Sequence, residues 1–331
     1  MNNILEINRL SVSYPSGRSG IFSRGSITAV EDFCLELEEG CSLGLAGESG
    51  SGKSTVARAA SNLLKFNNPG VRISGNIVLK VNGEVYDYAR LNRGERARLR
   101  NYVQFIFQDP SGSLNPRFNI GEIIQEPLKH LTSLGKSERK NKVMNLLELT
   151  GLGEEIYYRF PHELSGGQKQ RAGIARALAA GPKILIADEP LSSLDVSVQA
   201  QIINLFRRLK NELNLTLVFV SHDLSVIENL CTDVAVMYLG KIMERGKCGK
   251  VFSNPGHPYT KALISSVPVP VFSEDKQERI LLSGDIPSTL SRPMGCVFAG
   301  RCPEASDECL KTVPPLEAKE DGREVACIKR R

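Results

Sequence analysis

The stretch Gly47-Glu48-Ser49-Gly50-Ser51-Gly52-Lys53-Ser54-Thr55 begins with eight residues that match the pattern G-x-x-x-x-G-K-[ST] of a phosphate-binding loop. An apolar run over residues 41–46 predicts a buried strand before the loop, and a helix is predicted after it, to about Leu64. In such a loop the glycines let the backbone wrap around phosphates, and the loop N–H groups bind the phosphate oxygens. We expect Lys53 to reach the β and γ phosphates of a nucleotide, and the Ser54 hydroxyl to ligate Mg²⁺.

Another predicted strand ends in two carboxylates. Residues 184–187 are apolar and are followed directly by Asp188-Glu189. Ligands of parallel sheets lie at the C-terminal ends of the strands, where these carboxylates would sit. We therefore expect Asp188 to hold Mg²⁺, and Glu189 to polarise the attacking water as a general base. Without a phosphate-binding loop upstream, the same pair would indicate only an exposed strand end.

Three further residues are candidates for contact with the nucleotide. His222 follows a predicted strand over residues 215–220, and we expect it to contact the γ-phosphate. Gln108 follows the predicted strand 102–107, where it would sense Mg²⁺ and the attacking water. Tyr14 either stacks on the adenine ring or is a surface aromatic beside Pro15.

The pentapeptide Leu164-Ser165-Gly166-Gly167-Gln168 precedes a predicted helix and suggests a second anion site. Backbone N–H groups point outward at a helix N-terminus, and the helix dipole adds positive potential there. A second phosphate-binding element suggests that nucleotide is held from two sides, by two subunits.

Helical and strand patterns alternate along residues 1–250 and predict an α/β fold with a doubly wound sheet and crossover helices. Together with the phosphate-binding loop, this arrangement resembles a P-loop NTPase (RecA-like) core. Near the N-terminus we expect an antiparallel β subdomain, with an edge strand over residues 4–12 and a hairpin around Asn82-Gly83. Helical spacing predicts a helical subdomain at about residues 110–165. Residues 251–331 are rich in proline and cysteine and predict a small C-terminal appendage.

Composition excludes several classes of protein. The chain has 331 residues, of which 41% are hydrophobic and 24% charged, as in a globular protein with a substantial core. The net charge of +5 is spread along the chain and does not indicate a nucleic-acid partner. No apolar run approaches a membrane span, and the N-terminus does not resemble a secretory signal. We therefore expect a cytoplasmic protein that reaches a membrane only through a partner.

Taken together and in this order, the motifs resemble those of the ATP-binding subunits of ABC transporters. The resemblance covers residues 1 to about 250 and includes Ser193-Leu194-Asp195. It implies a head-to-tail dimer that traps two ATP molecules, each between the phosphate loop of one subunit and the pentapeptide of the other. It also implies that Ser165, Gly166 and Gly167 act on the partner's γ-phosphate, while Asp195 couples the two sites.

Three more stretches are similar to the dipeptide and oligopeptide importer branch, with which nickel importers share much. They are Phe107–Pro116, Asn254–Thr260 and Gly295–Pro303. The resemblance implies two transmembrane permease subunits that contact the helical subdomain, and an extracytoplasmic peptide-binding protein that acts indirectly. It places the chain at the cytoplasmic face of the cell membrane, as a homodimer or beside a paralogous ATPase.

Four cysteines of the C-terminal segment form a separate group: Cys296, Cys302, Cys309 and Cys327. Disulfides are rare in a reducing cytoplasm, and zinc sites usually contain a tighter cysteine pair than this spacing offers. Four thiolates can hold a [4Fe–4S] cluster, and some peptide-importer ATPases carry one in this region. Our hypothesis is such a cluster, with zinc as the alternative and four unliganded thiols as the third outcome.

Two other functions compete with transport. A soluble ABC ATPase that acts on ribosomes or DNA usually has two cassettes in one chain, or a coiled coil or zinc module within the cassette, and this sequence has neither feature. A P-loop kinase would leave residues 164–168 without a role.

Overall fold

The computed structural model describes residues 3–15, 26–68, 70–267, 280–282, 284, 287 and 292–330. The chain forms two compact units. One contains Met1–Leu5, Leu37–Cys41 and Val78–Val220, and the other contains Glu6–Glu36, Ser42–Ile77 and Ser221–Arg331.

The strands of the described residues are β1 (Asn3–Pro15), β2 (Ser26–Glu38), β3 (Ser42–Ala46), β4 (Arg72–Val81), β5 (Glu84–Asp87), β6 (Val103–Ile106), β7 (Ile184–Asp188), β8 (Thr216–Val220), β9 (Asp233–Tyr238), β10 (Lys241–Lys247), β11 (Glu317–Ala318) and β12 (Glu324–Val325). Their α-helices are α1 (Lys53–Ala60), α2 (Leu64–Asn67), α3 (Arg93–Tyr102), α4 (Pro110–Ser113), α5 (Ile120–Leu131), α6 (Lys136–Leu149), α7 (Gly166–Leu178), α8 (Val196–Leu213), α9 (Leu224–Leu230), α10 (Cys248–Ser253), α11 (Pro258–Ser265) and α12 (Asp307–Lys311).

The first unit is built on the parallel strands β6, β7 and β8. Ile184 of β7 pairs with Val103 on one side and with Thr216 on the other. Every residue of β7 and β8 is buried, which explains their uninterrupted apolar sequences. Helix α8 packs against β8, where the rings of Phe206 and Phe219 meet edge to face with centroids 5.5 Å apart.

The helical region of the first unit comprises α5 and α6, as the sequence predicts, and α5 packs on both α6 and α7. Asn119 begins α5 with a capping box, because its side chain accepts from the Glu122 N–H at 2.8 Å and the Glu122 carboxylate accepts from its N–H at 3.0 Å. Helix α3 was not predicted from the sequence, although Asn92 and Glu95 form the same capping box at its start.

The second unit contains a sheet in the order β3-β9-β10-β12-β11. Strands β3 and β9 are parallel, whereas β9 and β10 form a hairpin through Leu239 and Gly240, with φ of 43° and 78°. The C-terminal strand β12 pairs with β10, with Val325 opposite Glu244, so the end of the chain extends this sheet. The boundary that we predict near residue 250 stays a prediction.

The expectation of an edge strand over residues 4–12 is wrong, because β1 lies between β2 and β4. The predicted hairpin around Asn82-Gly83 is confirmed, since β4 and β5 pair antiparallel with Val81 opposite Glu84. Within the described part of the chain, no helix has both the length and the apolar character to cross a bilayer.

Candidate functional site

The phosphate-binding loop connects the fully buried strand β3 to helix α1 in the second unit. Gly47 and Gly52 have φ of 139° and 102°, which only glycine adopts readily. A Cβ atom at Gly47 would lie 2.2 Å from the carbonyl oxygen of Met237, and one at Gly52 would lie 2.6 Å from that of Ala29. Both glycines are therefore required by their own backbone conformation and by close contact with the backbone of other segments.

Lys53 is 4% exposed and is held by the loop itself. Its ammonium donates to the carbonyl oxygens of Gly47 at 2.7 Å and Glu48 at 2.8 Å, and to the Ser51 hydroxyl at 3.3 Å. Because α1 begins at Lys53, the positive end of the helix dipole adds to the lysine charge. The loop thus has the charge and the geometry to bind phosphate oxygens.

Tyr14 lies beside this loop, in strand β1 of the same unit. Its hydroxyl is 3.4 Å from the Thr55 hydroxyl, and either oxygen can donate. Its ring is half-buried. Stacking on adenine stays a prediction for this residue.

In the first unit, the structure brings Gln108 and Glu189 together at the end of β7. The Gln108 amide donates to the Glu189 carboxylate at 3.0 Å, across 81 residues of sequence. Asp188 is the last residue of β7 and is 1% exposed. Glu189 has a φ of 45°, and its N–H donates to the Val220 carbonyl at 3.1 Å. Such a left-handed backbone costs a non-glycine residue about 1–3 kcal/mol.

His222 belongs to the second unit and is exposed. The preceding residue, Ser221, donates its N–H to the carbonyl of Leu45 in β3 at 3.2 Å. His222 is therefore adjacent in sequence to a residue that is hydrogen-bonded to β3. The Ser221 hydroxyl also accepts from the Asp223 N–H at 2.9 Å. These two bonds fix the backbone before and after His222.

The pentapeptide forms the start of α7 in the first unit. Ser165 is the N-cap of this helix and forms a capping box with Gln168. The Ser165 hydroxyl accepts from the Gln168 N–H at 3.3 Å, and the Gln168 side-chain oxygen accepts from the Ser165 N–H at 3.0 Å. Leu164 is buried, whereas Ser165 and Gly166 are exposed. The helix therefore presents its N-terminus to solvent, with a serine and a glycine at the tip.

Gly167 and Asp195 connect the starts of α7 and α8. A Cβ atom at Gly167 would lie 2.7 Å from a methyl carbon of Val198, so the first turns of the two helices are in close contact. Asp195 is the N-cap of α8 and accepts from the Val198 N–H at 3.0 Å and from the Ser197 hydroxyl at 2.6 Å. These bonds, the hydroxyl's first, hold the pKa of the Asp195 carboxyl below its usual range.

The four C-terminal cysteines line one cavity in the second unit, together with apolar neighbours that include Phe298 and Ile328. Their backbones are also close, since Cys296 donates its N–H to the Cys309 carbonyl at 2.8 Å. Burial raises the pKa of the Cys296 and Cys302 thiols, which would stay protonated without a bound cation.

Among the residues that the structure describes, no three His, Cys, Asp or Glu side chains form a group arranged to hold a metal ion. A single zinc ion needs its ligands within about 2.3 Å, and no such preformed site is present in the described chain. An iron–sulfur cluster takes one thiolate for each of its irons, so the four cysteines of this cavity are a ligand set of the right type and number, although they are not arranged as a preformed metal site.

Two residues with no role predicted from the sequence, Tyr259 and Arg301, contact the phosphate loop. The Tyr259 hydroxyl accepts from the Glu48 N–H at 2.9 Å, and the Arg301 guanidinium binds the Glu48 carboxylate at 2.7 and 3.2 Å. Both lie in stretches that carry the resemblance to peptide importers. Nothing in their local sequence connects them to a loop more than 200 residues earlier.

Comparisons with known proteins identify the relatives of this chain. The chain matches the ABC transporter family over residues 30–192 and the oligopeptide/dipeptide transporter C-terminal region over residues 243–309. It is 43% identical to the putative oligopeptide transport ATP-binding protein YkfD of Bacillus subtilis, over 98% of this chain and 94% of that protein. It is 42% identical to the dipeptide transport ATP-binding protein DppF of Haemophilus influenzae, over 94% of this chain and 92% of that protein.

Solved structures give the same result for the fold. A dimeric post-hydrolysis state of the ATP-binding cassette MJ0796, bound to ADP and Pi, matches with a TM-score of 0.63 and 27% identity, over 74% of this chain and 98% of that chain. CbiO1 from Clostridium perfringens, part of the ABC transporter complex cbiONQ, matches with a TM-score of 0.62 and 27% identity, over 77% of this chain and 92% of that chain. The predicted P-loop NTPase fold is confirmed. The chain therefore belongs to the ABC transporter family of ATPases, in its group of oligopeptide and dipeptide transport ATP-binding proteins.

Proposed function

We propose that this chain is the energy-coupling subunit of an importer of dipeptides and oligopeptides. The observation that carries the proposal is the combined match to the ATPase family and to the peptide-transporter C-terminal region. The relatives named for oligopeptide transport align over nearly the whole chain, which extends the likeness beyond the ATPase core. ATP binding would drive closure of an ATPase dimer, and hydrolysis would reopen it.

The predicted site residues have distinct roles in this proposal, and Gln108 has two. Lys53 and the loop N–H groups bind the phosphates, and Ser54, Asp188 and Gln108 hold Mg²⁺ directly or through water. Glu189 accepts the proton of the attacking water, while its hydrogen bond from Gln108 supports an orienting role for that glutamine. His222 contacts the γ-phosphate and Tyr14 stacks on adenine.

We assign the pentapeptide to the ATP bound by the partner subunit. The exposed N-terminus of α7 supports this role, because an anion there meets the helix dipole and outward N–H groups. The partner is a second copy of this chain or a paralogous ATPase subunit. Asp195, which caps the helix beside it, would transmit closure between the two sites.

We propose that permease helices dock on the helical region of the first unit. Phe118, Tyr158 and Phe160 are 46%, 62% and 38% exposed there, an unusual concentration of aromatic surface. Two of these segments are adjacent, since the Ile120 N–H donates to the Arg159 carbonyl at 2.8 Å. Two transmembrane permeases would hold the chain at the cytoplasmic face of the membrane, with a peptide-binding protein outside and no nucleic acid involved.

Peptide uptake tests the proposal directly. In cells that lack this gene, we expect the wild-type chain to restore uptake of a radiolabelled tripeptide and the variant Lys53→Ala to restore none. Nickel uptake should be the same in both strains. Restored nickel uptake without restored peptide uptake would assign the transporter to metal ions and overturn the peptide proposal.

We further propose that Cys296, Cys302, Cys309 and Cys327 hold a [4Fe–4S] cluster, with zinc as the alternative. The shared cavity and its apolar walls support the cluster, which would supply a structural link between segments of the C-terminal region. Gly295 is consistent with such a link, because a Cβ atom there would lie 2.4 Å from the Cys309 carbonyl oxygen.

Metal analysis of anaerobically purified protein tests the cluster. We expect about four iron and four sulfide per chain, with broad visible absorption that is lost in Cys302→Ser. The control Cys41→Ser, outside the cavity, should keep both. Colourless protein with one zinc per chain would establish the alternative, and protein with neither metal would leave four free thiols.

A further inference from the structure

Glu48 of the phosphate loop is held at three points. Its N–H donates to the Tyr259 hydroxyl at 2.9 Å, its carboxylate takes two hydrogen bonds from Arg301, and its carbonyl oxygen accepts from the Lys53 ammonium at 2.8 Å. All four residues lie in the second unit. The last of these bonds means that the position of the Glu48 peptide helps to set the position of the Lys53 charge.

The residues that hold Glu48 are themselves firmly packed. Tyr259 is fully buried, and the Arg301 side chain is only 10% exposed. The ring of Tyr238 lies 4.8 Å from that of Tyr259, and its hydroxyl lies 3.4 Å from the Arg301 guanidinium. Phe298 contacts both tyrosine rings, at 5.2 and 5.3 Å between centroids. Side chains fixed in this way lose little further entropy when they hold the loop.

The charge pair is also well suited to positioning. A bidentate bond between arginine and a carboxylate fixes direction as well as distance. Because the pair is partly buried, dissolved salt screens it less than it screens a surface pair. The Glu48 carboxylate is 24% exposed, so the ion pair is partly buried and still in contact with solvent. Its hydrogen bond to Glu48 raises the pKa of Arg301, which remains charged throughout the physiological range.

We propose that Arg301 and Tyr259 are positioning residues for nucleotide binding, which hold the Glu48 peptide so that Lys53 is oriented for the phosphates of ATP. The inference rests on the proposed role of Lys53 in ATP binding and adds a contribution from the C-terminal region. Arg301 precedes Cys302 and follows Phe298 by three residues, so the segment that lines the cysteine cavity also reaches the nucleotide loop.

Titration calorimetry with Mg-ATP tests the proposal on the full-length chain. We expect Arg301→Gln to raise the Kd for ATP about tenfold or more, because charge-assisted hydrogen bonds are lost and Glu48 is left without its cation. Tyr259→Phe removes only the acceptor of the Glu48 N–H and should raise the Kd several-fold. Arg301→Lys keeps the charge and should recover part of the affinity.

The matched control is Arg330→Gln, which breaks an ion pair of 2.6 Å to Glu304 in the same C-terminal region. It should bind ATP within twofold of wild type. Steady-state hydrolysis should show a raised KM for Arg301→Gln with kcat within threefold, and thermal unfolding should confirm that every variant is folded. In the double variant Arg301→Gln with Glu48→Gln, the loss of ATP affinity should be no greater than in Arg301→Gln alone.

The proposal is overturned if Arg301→Gln and Tyr259→Phe bind ATP within twofold of wild type. It is also overturned if Arg330→Gln weakens binding as much as Arg301→Gln, because the effect would then be general destabilisation. Lys53→Ala separates this inference from the proposed function. If that variant binds ATP as wild type does, the role of Lys53 is wrong whatever the behaviour of Arg301.

Discussion

Replacement of Glu189 by glutamine should nearly abolish ATP hydrolysis while leaving ATP bound. Glutamine has the shape of glutamate, and its carbonyl oxygen can still accept the hydrogen bond that Gln108 donates at 3.0 Å. Neither residue is glycine, so both bear a similar cost in the left-handed backbone of this position. The substitution therefore removes one property, the capacity to accept a proton from water.

A positioned general base contributes about 10²- to 10⁴-fold to a rate, so we expect kcat to fall by that factor. This corresponds to about 3–5 kcal/mol of added barrier. Phosphate release measures kcat, calorimetry measures the Kd for Mg-ATP, and size-exclusion chromatography with ATP measures the dimer, which should become more stable. The control Glu212→Gln, on the exposed side of α8, should hydrolyse as wild type does.

Turnover of Glu189→Gln within threefold of wild type would show that Glu189 is not the base. A Kd raised more than tenfold with little change in kcat would instead assign the carboxylate to binding. Either result would refute the role inferred from the strand end. A variant that fails to fold is recognised because it lacks a cooperative thermal unfolding transition.

Three other substitutions test separate parts of the site. Ser165→Arg should leave ATP binding by the mutated chain intact but block hydrolysis at the partner's loop. Hydrolysis is measured in mixed dimers in which only one chain binds ATP. Loss of ATP binding by the mutated chain itself would contradict the arrangement in trans. Gly167→Ala should lower the free energy of unfolding by about 1–3 kcal/mol, because the new methyl group overpacks against Val198 at 2.7 Å. Val198→Ala in the same chain should restore much of that loss in urea denaturation, and a stabilised single variant would refute the close contact. Tyr14→Ala should weaken ATP binding by a factor of about 5–150, the worth of one stacked base. Tyr14→Phe keeps the ring and should bind as wild type; equal losses in both would point to the hydroxyl beside Thr55 instead.

Sequence patterns predicted the elements in which local burial is strong. Strands β7 and β8 were both predicted from their apolar runs, and both are buried along their whole length. Helix α3 was missed because only Leu99 of its ten residues is buried, which leaves no apolar periodicity. The capping box of Asn92 and Glu95 was the one available signal.

Long-range pairing was beyond the reach of sequence patterns. Strand β1 shows partial alternation, which gave no information on whether it has one neighbour or two. Gln108 and Glu189 were each predicted from strand ends, yet their hydrogen bond joins positions 81 residues apart. The pair of Glu48 and Arg301 spans 253 residues. Such contacts depend on topology, which a single sequence does not display.

That long separation has a consequence for biosynthesis. A ribosome adds about 5–20 residues per second, so Arg301 is made roughly 10–50 s after Glu48. During that interval the nascent chain carries a complete phosphate-loop sequence whose glutamate has no arginine partner at position 301. The order of translation thus delays the final geometry of the nucleotide loop until the last tenth of the polypeptide emerges. A chain that is cut short before residue 301 would keep the motif but not the residue that orients it.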